Sequence, residues 1–145
     1  ALGAEDYVRD IRTQRTKEGN ELTAARAQIL LAARAAKIHA FDSVFSDVRD
    51  KDGFIAEVKK IKNLGFDGKS LVNPNQIYLL HNIYAPTQKE IEWAFEVIEA
   101  AEHAKKNGLG VVSIDGRMVD APIIARAEFT LDLARTSGLI GEDDE

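Results

Sequence analysis

The stretch "IHAFDSVF" (38–45) organises everything around it. It is eight residues long and mostly apolar, the pattern of a strand buried on both faces. Before it, Asn20 can cap a helix whose stripe is Leu22, Ala25, Ile29, Ala32 and Ala36, the spacing of one helical face. Small residues dominate that stripe, which suits close packing on a sheet. After it, a second helix is expected with Asp52 as cap, Phe54, Val58, Ile61 and Leu64 inward, and Gly65 closing it at C′. Next, "FDGKSLV" (66–72) reads as another strand, and Asn73 with Pro74 in the first turn starts a helix that turns Ile77, Leu80 and Tyr84 inward. Residues 1–4 read as the end of a further buried strand.

Strands separated by helical crossovers imply a parallel sheet covered by helices. Two and a half such strands would leave both sheet edges open. The reading therefore expects residues 1–86 to be part of a larger α/β structure. Residues 87–145 differ in character. "TQKE" (87–90) is a capping box, with Thr87 as N-cap and Glu90 reaching back. The helix it opens carries Ile91, Ala94, Phe95, Ile98 and Ala101 inward and ends at Asn107-Gly108. "VVSIDGRMV" (111–119) reads as a hairpin, because Asp-Gly favours the left-handed conformations of a two-residue turn. A last helix carries Ile123, Ile124, Ala127, Leu131 and Ala134. This helix–hairpin–helix has no place in a repeating βα pattern and reads as an appended arm with an acidic tail.

Composition narrows the function classes. The 145 residues are 45% hydrophobic and 30% charged, which is globular rather than disordered. The net charge of −5 owes part of its size to the terminal "GEDDE". No basic stripe interleaved with aromatics suggests nucleic acid. Without cysteine there is no disulfide framework and no thiolate metal site. No apolar run approaches the roughly 18 residues that span a bilayer, so the expectation is a soluble cytoplasmic protein with no membrane partner.

In parallel α/β architectures, chemistry gathers at the carboxyl ends of strands. Asp6, Ser46, Asp47 and Asn73 all follow expected strand ends. Mg2+ takes oxygen ligands and needs only one or two protein carboxylates, so Asp6 alone is adequate as half of such a site. The same residue could instead cap a helix starting at Tyr7, and from spacing alone the cap is the stronger reading. Asp120, directly before Pro122 and an apolar helix, is likewise a good N-cap. His39, His81 and His103 show no ligand spacing. Lys69 could bind an anion or point to solvent, and Trp93 and Phe95 read as packing residues.

Longer runs carry a resemblance. "ALGAEDYVRDIRTQRTKEGNEL" (1–22), "ARAQILLAARAAKIHAFDSVFSDV" (25–48), "LGFDGKSLVNPNQIYLLHNIYAPTQKE" (64–90) and "GLGVVSIDGRMVDAPII" (108–124) resemble the citrate lyase beta-subunit family. That family sits within the HpcH/HpaI aldolase/citrate lyase superfamily of magnesium-dependent (β/α)8-barrel lyases. The resemblance implies the C-terminal part of a TIM barrel, from the end of strand six to strand eight, followed by a helix–hairpin–helix arm. It places strands one to five before the equivalent of Ala1, making this chain the C-terminal half of a subunit roughly twice as long. In the family pattern the last acid of "GAED" is a magnesium ligand, here Asp6. Gly3 and Ala4 would hold a substrate carboxylate through backbone amides, with Glu5 beside them. The Asp of "MVD", here Asp120, would complete a neighbouring subunit's catalytic site in a homotrimer.

The implied reaction is Mg2+-dependent cleavage of a citryl thioester on an acyl carrier protein to oxaloacetate and the acetyl thioester. The implied partners are that carrier subunit and the citrate lyase alpha subunit. Two alternatives stay open: a citramalyl- or malyl-CoA lyase of the same superfamily, or a non-catalytic piece with only an assembly role. These residues alone lack half of the implied metal site, so the chain by itself is expected to be inactive.

Overall fold

The computed structural model describes residues 1–107, 112–114 and 116–141. The chain is α/β and mostly helical, and it divides into two compact units, Ala1–Tyr84 and Ala85–Glu145. The first unit runs α1 (Ala4–Asp10), a 3-10 turn (Asn20–Leu22) continuing into α2 (Thr23–Ala35), β1 (Phe41–Asp42), α3 (Lys51–Leu64), β2 (Gly68–Lys69) and α4 (Asn75–Tyr84).

The parallel pairing expected of the two strand segments is present, with Phe41 opposite Gly68 and Asp42 opposite Lys69. Regular pairing is confined to two residues in each strand, although Asp67 N→Ala40 O (2.9 Å) and Ser70 N→Asp42 O (3.1 Å) extend it. One cause is visible at the entry. The Ala40 amide donates to the Asp67 side chain at 2.7 Å, so a carboxylate takes the place of a ladder carbonyl. Residues 1–4 do not form a strand end. Ala1–Gly3 precede α1, and Ala4 is already helical, with Tyr7 N donating to Gly3 O at 2.9 Å. Leu2, Ala4 and Val8 find their burial against Leu22 and Ala25 rather than in a sheet.

Helix boundaries follow cap chemistry with two corrections. Asp50, not Asp52, caps α3: its Oδ1 accepts from Gly53 N at 2.9 Å, which starts the helix at Lys51. Asn20 opens the 3-10 turn, and α2 has no side-chain cap. Asn73 behaves as expected, accepting from Asn75 N at 2.9 Å before α4. Three ends of this unit, at Arg12, Lys37 and Gly65, share one motif: a left-handed residue (φ 58°, 54° and 104°) between two backward hydrogen bonds. At Gly65 those bonds are Gly65 N→Lys62 O (3.0 Å) and Phe66 N→Ile61 O (3.1 Å). Two of the three use a residue with a Cβ, at a cost of about 1–2 kcal/mol each.

The buried faces differ from the apolar stripes in the sequence. On α2, Ala32 is exposed, as is Ala36 just beyond its end, while Arg26 and Ala33 are buried. On α3, Phe54, Val58 and Ile61 are buried as expected, Glu57 joins them, and Leu64 is exposed. On α4, Ile77 is exposed and Gln76 is buried. The Gln76 amide explains the exchange, since Nε2 donates to Phe45 O (3.0 Å) and Oε1 accepts from Val72 N (3.1 Å).

The second unit runs α5 (Gln88–Asn107), β3 (Val112–Ile114), β4 (Arg117–Val119) and α6 (Ala121–Thr136). The capping box is realised: Thr87 N donates to Glu90 Oε2 (2.7 Å) and Glu90 N donates to Thr87 Oγ1 (3.3 Å). β3 and β4 form the antiparallel hairpin, Val112 opposite Val119 and Ile114 opposite Arg117, with Gly116 at φ 76°. The Asp115 half of the expected turn, Gly108, and the tail after Gly141 lie outside the described residues. One apolar cluster of Ile91, Ala94, Val97, Val119, Ala127, Leu131 and Ala134 fills the unit, with Trp93, Phe95, Ile98 and Ile123 packed around it. Among the described residues no helix is long and apolar enough to cross a membrane.

Candidate functional site

The acids singled out at the N-terminus sit in the first turn of α1. Gly3 is the N-cap residue without a side-chain cap, Ala4 is buried, and Glu5 and Asp6 are exposed, where the helix dipole favours negative charge. Asp6 is therefore not a cap, because the helix begins two residues before it. Its side chain is 77% exposed, and Oδ1 lies 3.2 Å from Arg9 Nη1. An exposed pair of this kind is worth on the order of 0–1 kcal/mol. A Cβ at Gly3 would fall 3.6 Å from Asp6 Oδ2, an ordinary van der Waals contact, so the backbone of Gly3 lies close beside the carboxylate. Glu5 Oε1 accepts from Arg15 Nη1 at 3.2 Å.

Asp120 lies in the second unit, exposed at the start of α6. Its Oδ1 accepts from Ile123 N at 3.2 Å, and Pro122 stands in the first turn, so the cap reading holds. Asp47, in the loop after β1, accepts from Arg49 N at 3.0 Å and shapes a turn. His39, His81 and His103 are exposed, and among the described residues no cluster of three or more His, Asp or Glu side chains is placed to hold a metal. Asp6 nonetheless fits a magnesium ion that draws one carboxylate from this chain: it is open to solvent, hard in its donor atoms, and weakly engaged.

The structure also holds a charged cluster that apolar periodicity passed over. Arg26 grips Asp42 with two parallel bonds, Nε→Oδ1 (2.9 Å) and Nη2→Oδ2 (2.7 Å), and Nη2 lies 3.1 Å from Glu57 Oε2. Lys69 Nζ donates to Asp42 Oδ2 (2.9 Å), to Glu57 Oε1 (2.6 Å) and to Ser43 O. All four side chains are at least nine-tenths buried. Lys69 is thus neither a surface lysine nor an anion receptor, since its three protons are already committed. Burial alone would raise the Asp42 carboxyl, but Arg26 and Lys69 outweigh it and hold it below the usual range. Burial would lower Arg26, yet Asp42 and Glu57 raise it. Arg26 Nη1 stays without a hydrogen-bond partner, and a Cβ at Gly19 (φ 64°) would come within 3.2 Å of it. The sequence did carry a signal: Leu22, Arg26, Ile29 and Ala33 share helical spacing, and charged Asp42 and Lys69 interrupt two buried strands.

Nearby, Tyr84 donates its hydroxyl to Phe66 O at 3.0 Å. Burial, and the negative charges of Asp42 and Asp67, push that phenol up to about 12.

The HpcH/HpaI aldolase/citrate lyase family matches this chain over residues 1–74, just over half of it. The chain belongs to that family. The citrate lyase subunit beta of Escherichia coli (strain K12) is 60% identical over 139 residues, which cover 96% of this chain and 46% of that protein. The mitochondrial citramalyl-CoA lyase of Rattus norvegicus is 33% identical, covering 92% of this chain and 39% of that one. Among solved structures, the protein CitE from Mycobacterium tuberculosis in complex with magnesium, acetoacetate and coenzyme A superposes with a TM-score of 0.76 at 30% identity, covering 90% of this chain and 49% of that one. The chain of this family member spans about half the length of the curated relatives it matches.

Proposed function

We propose that this chain supplies the C-terminal half of a magnesium-dependent citryl-thioester lyase, the beta subunit of a citrate lyase. In this reading residues 1–86 are the C-terminal portion of a TIM barrel, carrying its last two strands, and residues 87–145 are a helical arm with a small hairpin and an acidic tail. The observation that carries it is Asp6, an open carboxylate in the first turn of α1 in a chain of this family. Asp6 would hold Mg2+, which supplies a Lewis-acidic point for the substrate's carboxylate and hydroxyl oxygens. Gly3 and Ala4, with Glu5 beside them, bind and orient a substrate carboxylate. As the carbon–carbon bond breaks, the substrate hydroxyl gives up its proton to solvent, its oxygen becomes the ketone of oxaloacetate, and the electron pair of the broken bond passes to the carbon of the thioester fragment. Asp120, from a neighbouring copy of the chain in a homotrimer, then delivers a proton to that fragment's carbon. The partners in this reading are the citryl-carrying acyl carrier protein and the alpha subunit, in the cytoplasm.

The test uses a full-length protein carrying this sequence. Asparagine is itself a good N-cap, so Asp120→Asn separates chemistry from folding. It is expected to keep Mg2+ affinity and thermal stability while losing about 100- to 10,000-fold in turnover. Unchanged turnover sinks the role. Asp6→Asn is expected to weaken Mg2+ binding itself. Citramalyl-CoA lyase chemistry is the second reading, favoured by the 33% identity to the rat enzyme. Turnover of CoA thioesters with no turnover of the citryl carrier protein would select it.

A further inference from the structure

We infer that Arg15 is a positioning residue: it ties the first turn of α1, and with it Asp6, to the buried charged cluster of the first unit. The inference rests on the reading above that Asp6 is the metal ligand. α1 has seven residues, too few to be stable alone, so its orientation depends on what holds it. Its apolar side is held by Leu22 and Ala25. Its charged side is held by Arg15, whose side chain is 21% exposed and faces three carboxylates. Nη1 donates to Glu5 Oε1 at 3.2 Å, Nε lies 3.4 Å from Glu21 Oε1 without hydrogen-bond geometry, and Nη2 lies 3.8 Å from Glu57 Oε2. Glu57 in turn contacts Lys69 (2.6 Å) and Arg26 (3.1 Å). An unbroken line of charges therefore runs from Glu5, next to Asp6, into the interior.

The three carboxylates do not depend on Arg15 equally. Glu21 also accepts from Thr16 N (3.1 Å) and Thr16 Oγ1 (2.6 Å), and Glu57 keeps Lys69 and Arg26. Among the described residues Glu5 has Arg15 as its one ion partner. Removing the guanidinium therefore leaves Glu21 and Glu57 held and loosens the charged side of α1, whose apolar side keeps Leu22 and Ala25. The loop geometry serves this contact. The left-handed turn at Arg12 (φ 58°), with Thr13 N→Val8 O at 2.9 Å, reverses the chain so that residue 15 returns beside the first turn. An arginine suits the task because its planar fork turns three separate nitrogens, Nε, Nη1 and Nη2, each toward a different carboxylate, whereas a lysine has one nitrogen.

The experiment compares Arg15→Met, Arg15→Lys and Glu5→Gln with Asp6→Asn in a full-length protein carrying this sequence. It reads amide hydrogen exchange over residues 4–11, Mg2+ affinity by calorimetry, and melting temperature. Arg15→Met is expected to speed exchange in α1 about two- to fivefold relative to α3, the range of a partly exposed ion pair, and to weaken Mg2+ binding about twofold. Arg15→Lys should recover only part of both. Glu5→Gln, at an exposed position with no folding risk, should reproduce the effect, and the double variant should be no worse than either single one. Unchanged exchange in α1 for both Arg15→Met and Glu5→Gln would overturn the inference, as would a fall in melting temperature with unchanged Mg2+ affinity. If Asp6→Asn binds Mg2+ normally, the metal reading itself has failed. The exchange of α1 then decides the positioning role alone.

Discussion

In the first unit, four charged side chains share the interior with two small apolar clusters, one around Leu2, Val8 and Leu22 and the other around Ala33, Ile61 and Phe66. In the second unit, the interior is one aliphatic cluster between α5 and α6, in which Ala94, Ala127 and Ala134 are fully buried. The difference lies in what each interior specifies. Aliphatic packing is non-directional and tolerates volume-conserving exchange. A buried ion cluster is weak evidence of stability, because desolvation offsets much of the attraction, yet it demands one geometry from each member. Arg26 from α2, Asp42 from β1, Glu57 from α3 and Lys69 from β2 each come from a different element. The cluster therefore fixes both strand register and the placement of two helices. The second unit carries its candidate acid, Asp120, on a helix end built from local cap chemistry. The first carries Asp6 on a short helix that depends on distant partners.

The chromophores divide between the two units. Trp93 is the single tryptophan and reports the second unit, while Tyr7, Tyr78 and Tyr84 all lie in the first. The largest effect is expected from Asp42→Asn, which strands Arg26 and Lys69: about 3–5 kcal/mol lost in the tyrosine-detected denaturant transition, with the tryptophan-detected one unmoved. A loss below 1 kcal/mol, on the order of a surface pair, would show that the cluster is wet. Leu131→Ala should do the reverse, costing about 2–5 kcal/mol in the tryptophan-detected transition.

Acid sharpens the contrast. The Asp42 and Asp67 carboxyls are both depressed: burial opposes this, but Arg26 and Lys69 in one case, and Arg34 with the Ala40 amide in the other, outweigh it. A depressed carboxylate contributes stability above its unfolded value, roughly pH 4, and loses it as pH falls through the folded value. The tyrosine-detected transition is therefore expected to weaken below about pH 4 more steeply than the tryptophan-detected one, and Asp42→Asn should flatten it. Parallel acid profiles for the two probes would contradict this. Asp120→Ala, which removes the α6 cap, should cost the second unit about 1 kcal/mol. Smallest of all, Lys37→Gly should relieve the left-handed strain at φ 54° and raise the first unit's stability by at most about 1 kcal/mol.

Much of the architecture was legible in short windows. The parallel relation of 38–45 and 66–72, the Thr87–Glu90 box, the hairpin of 112–114 with 117–119 and the Asp120 cap are set by residues a few positions apart or by repeating spacing. The helix starting at Ala4 was not legible, because an apolar run of four residues fits a strand end as well as a helix packed on Leu22. The cap of α3 was placed two residues late, since Asp50 and Asp52 are both competent caps, and Asn20 opens a 3-10 turn rather than capping α2. Arg12 and Lys37 could not be read as helix ends, because neither is a residue that favours the left-handed region.

Short windows were enough for the order and kind of most elements and, with the longer runs, for the family; Asp6 and Asp120 became candidates through the family resemblance, while spacing alone favoured a cap for each. Local hydrogen bonding and side-chain period leave their marks within about four residues, and that is the range in which a sequence can be read. Only the tertiary structure decided that Arg26, Asp42, Glu57 and Lys69 belong together and that Arg15 reaches Glu5. Those partners stand far apart in the chain, 10 residues for Arg15–Glu5, 16 for Arg26–Asp42 and 27 for Asp42–Lys69. A charge counts against burial in any one stripe, and only a partner brought from elsewhere in the chain offsets its desolvation.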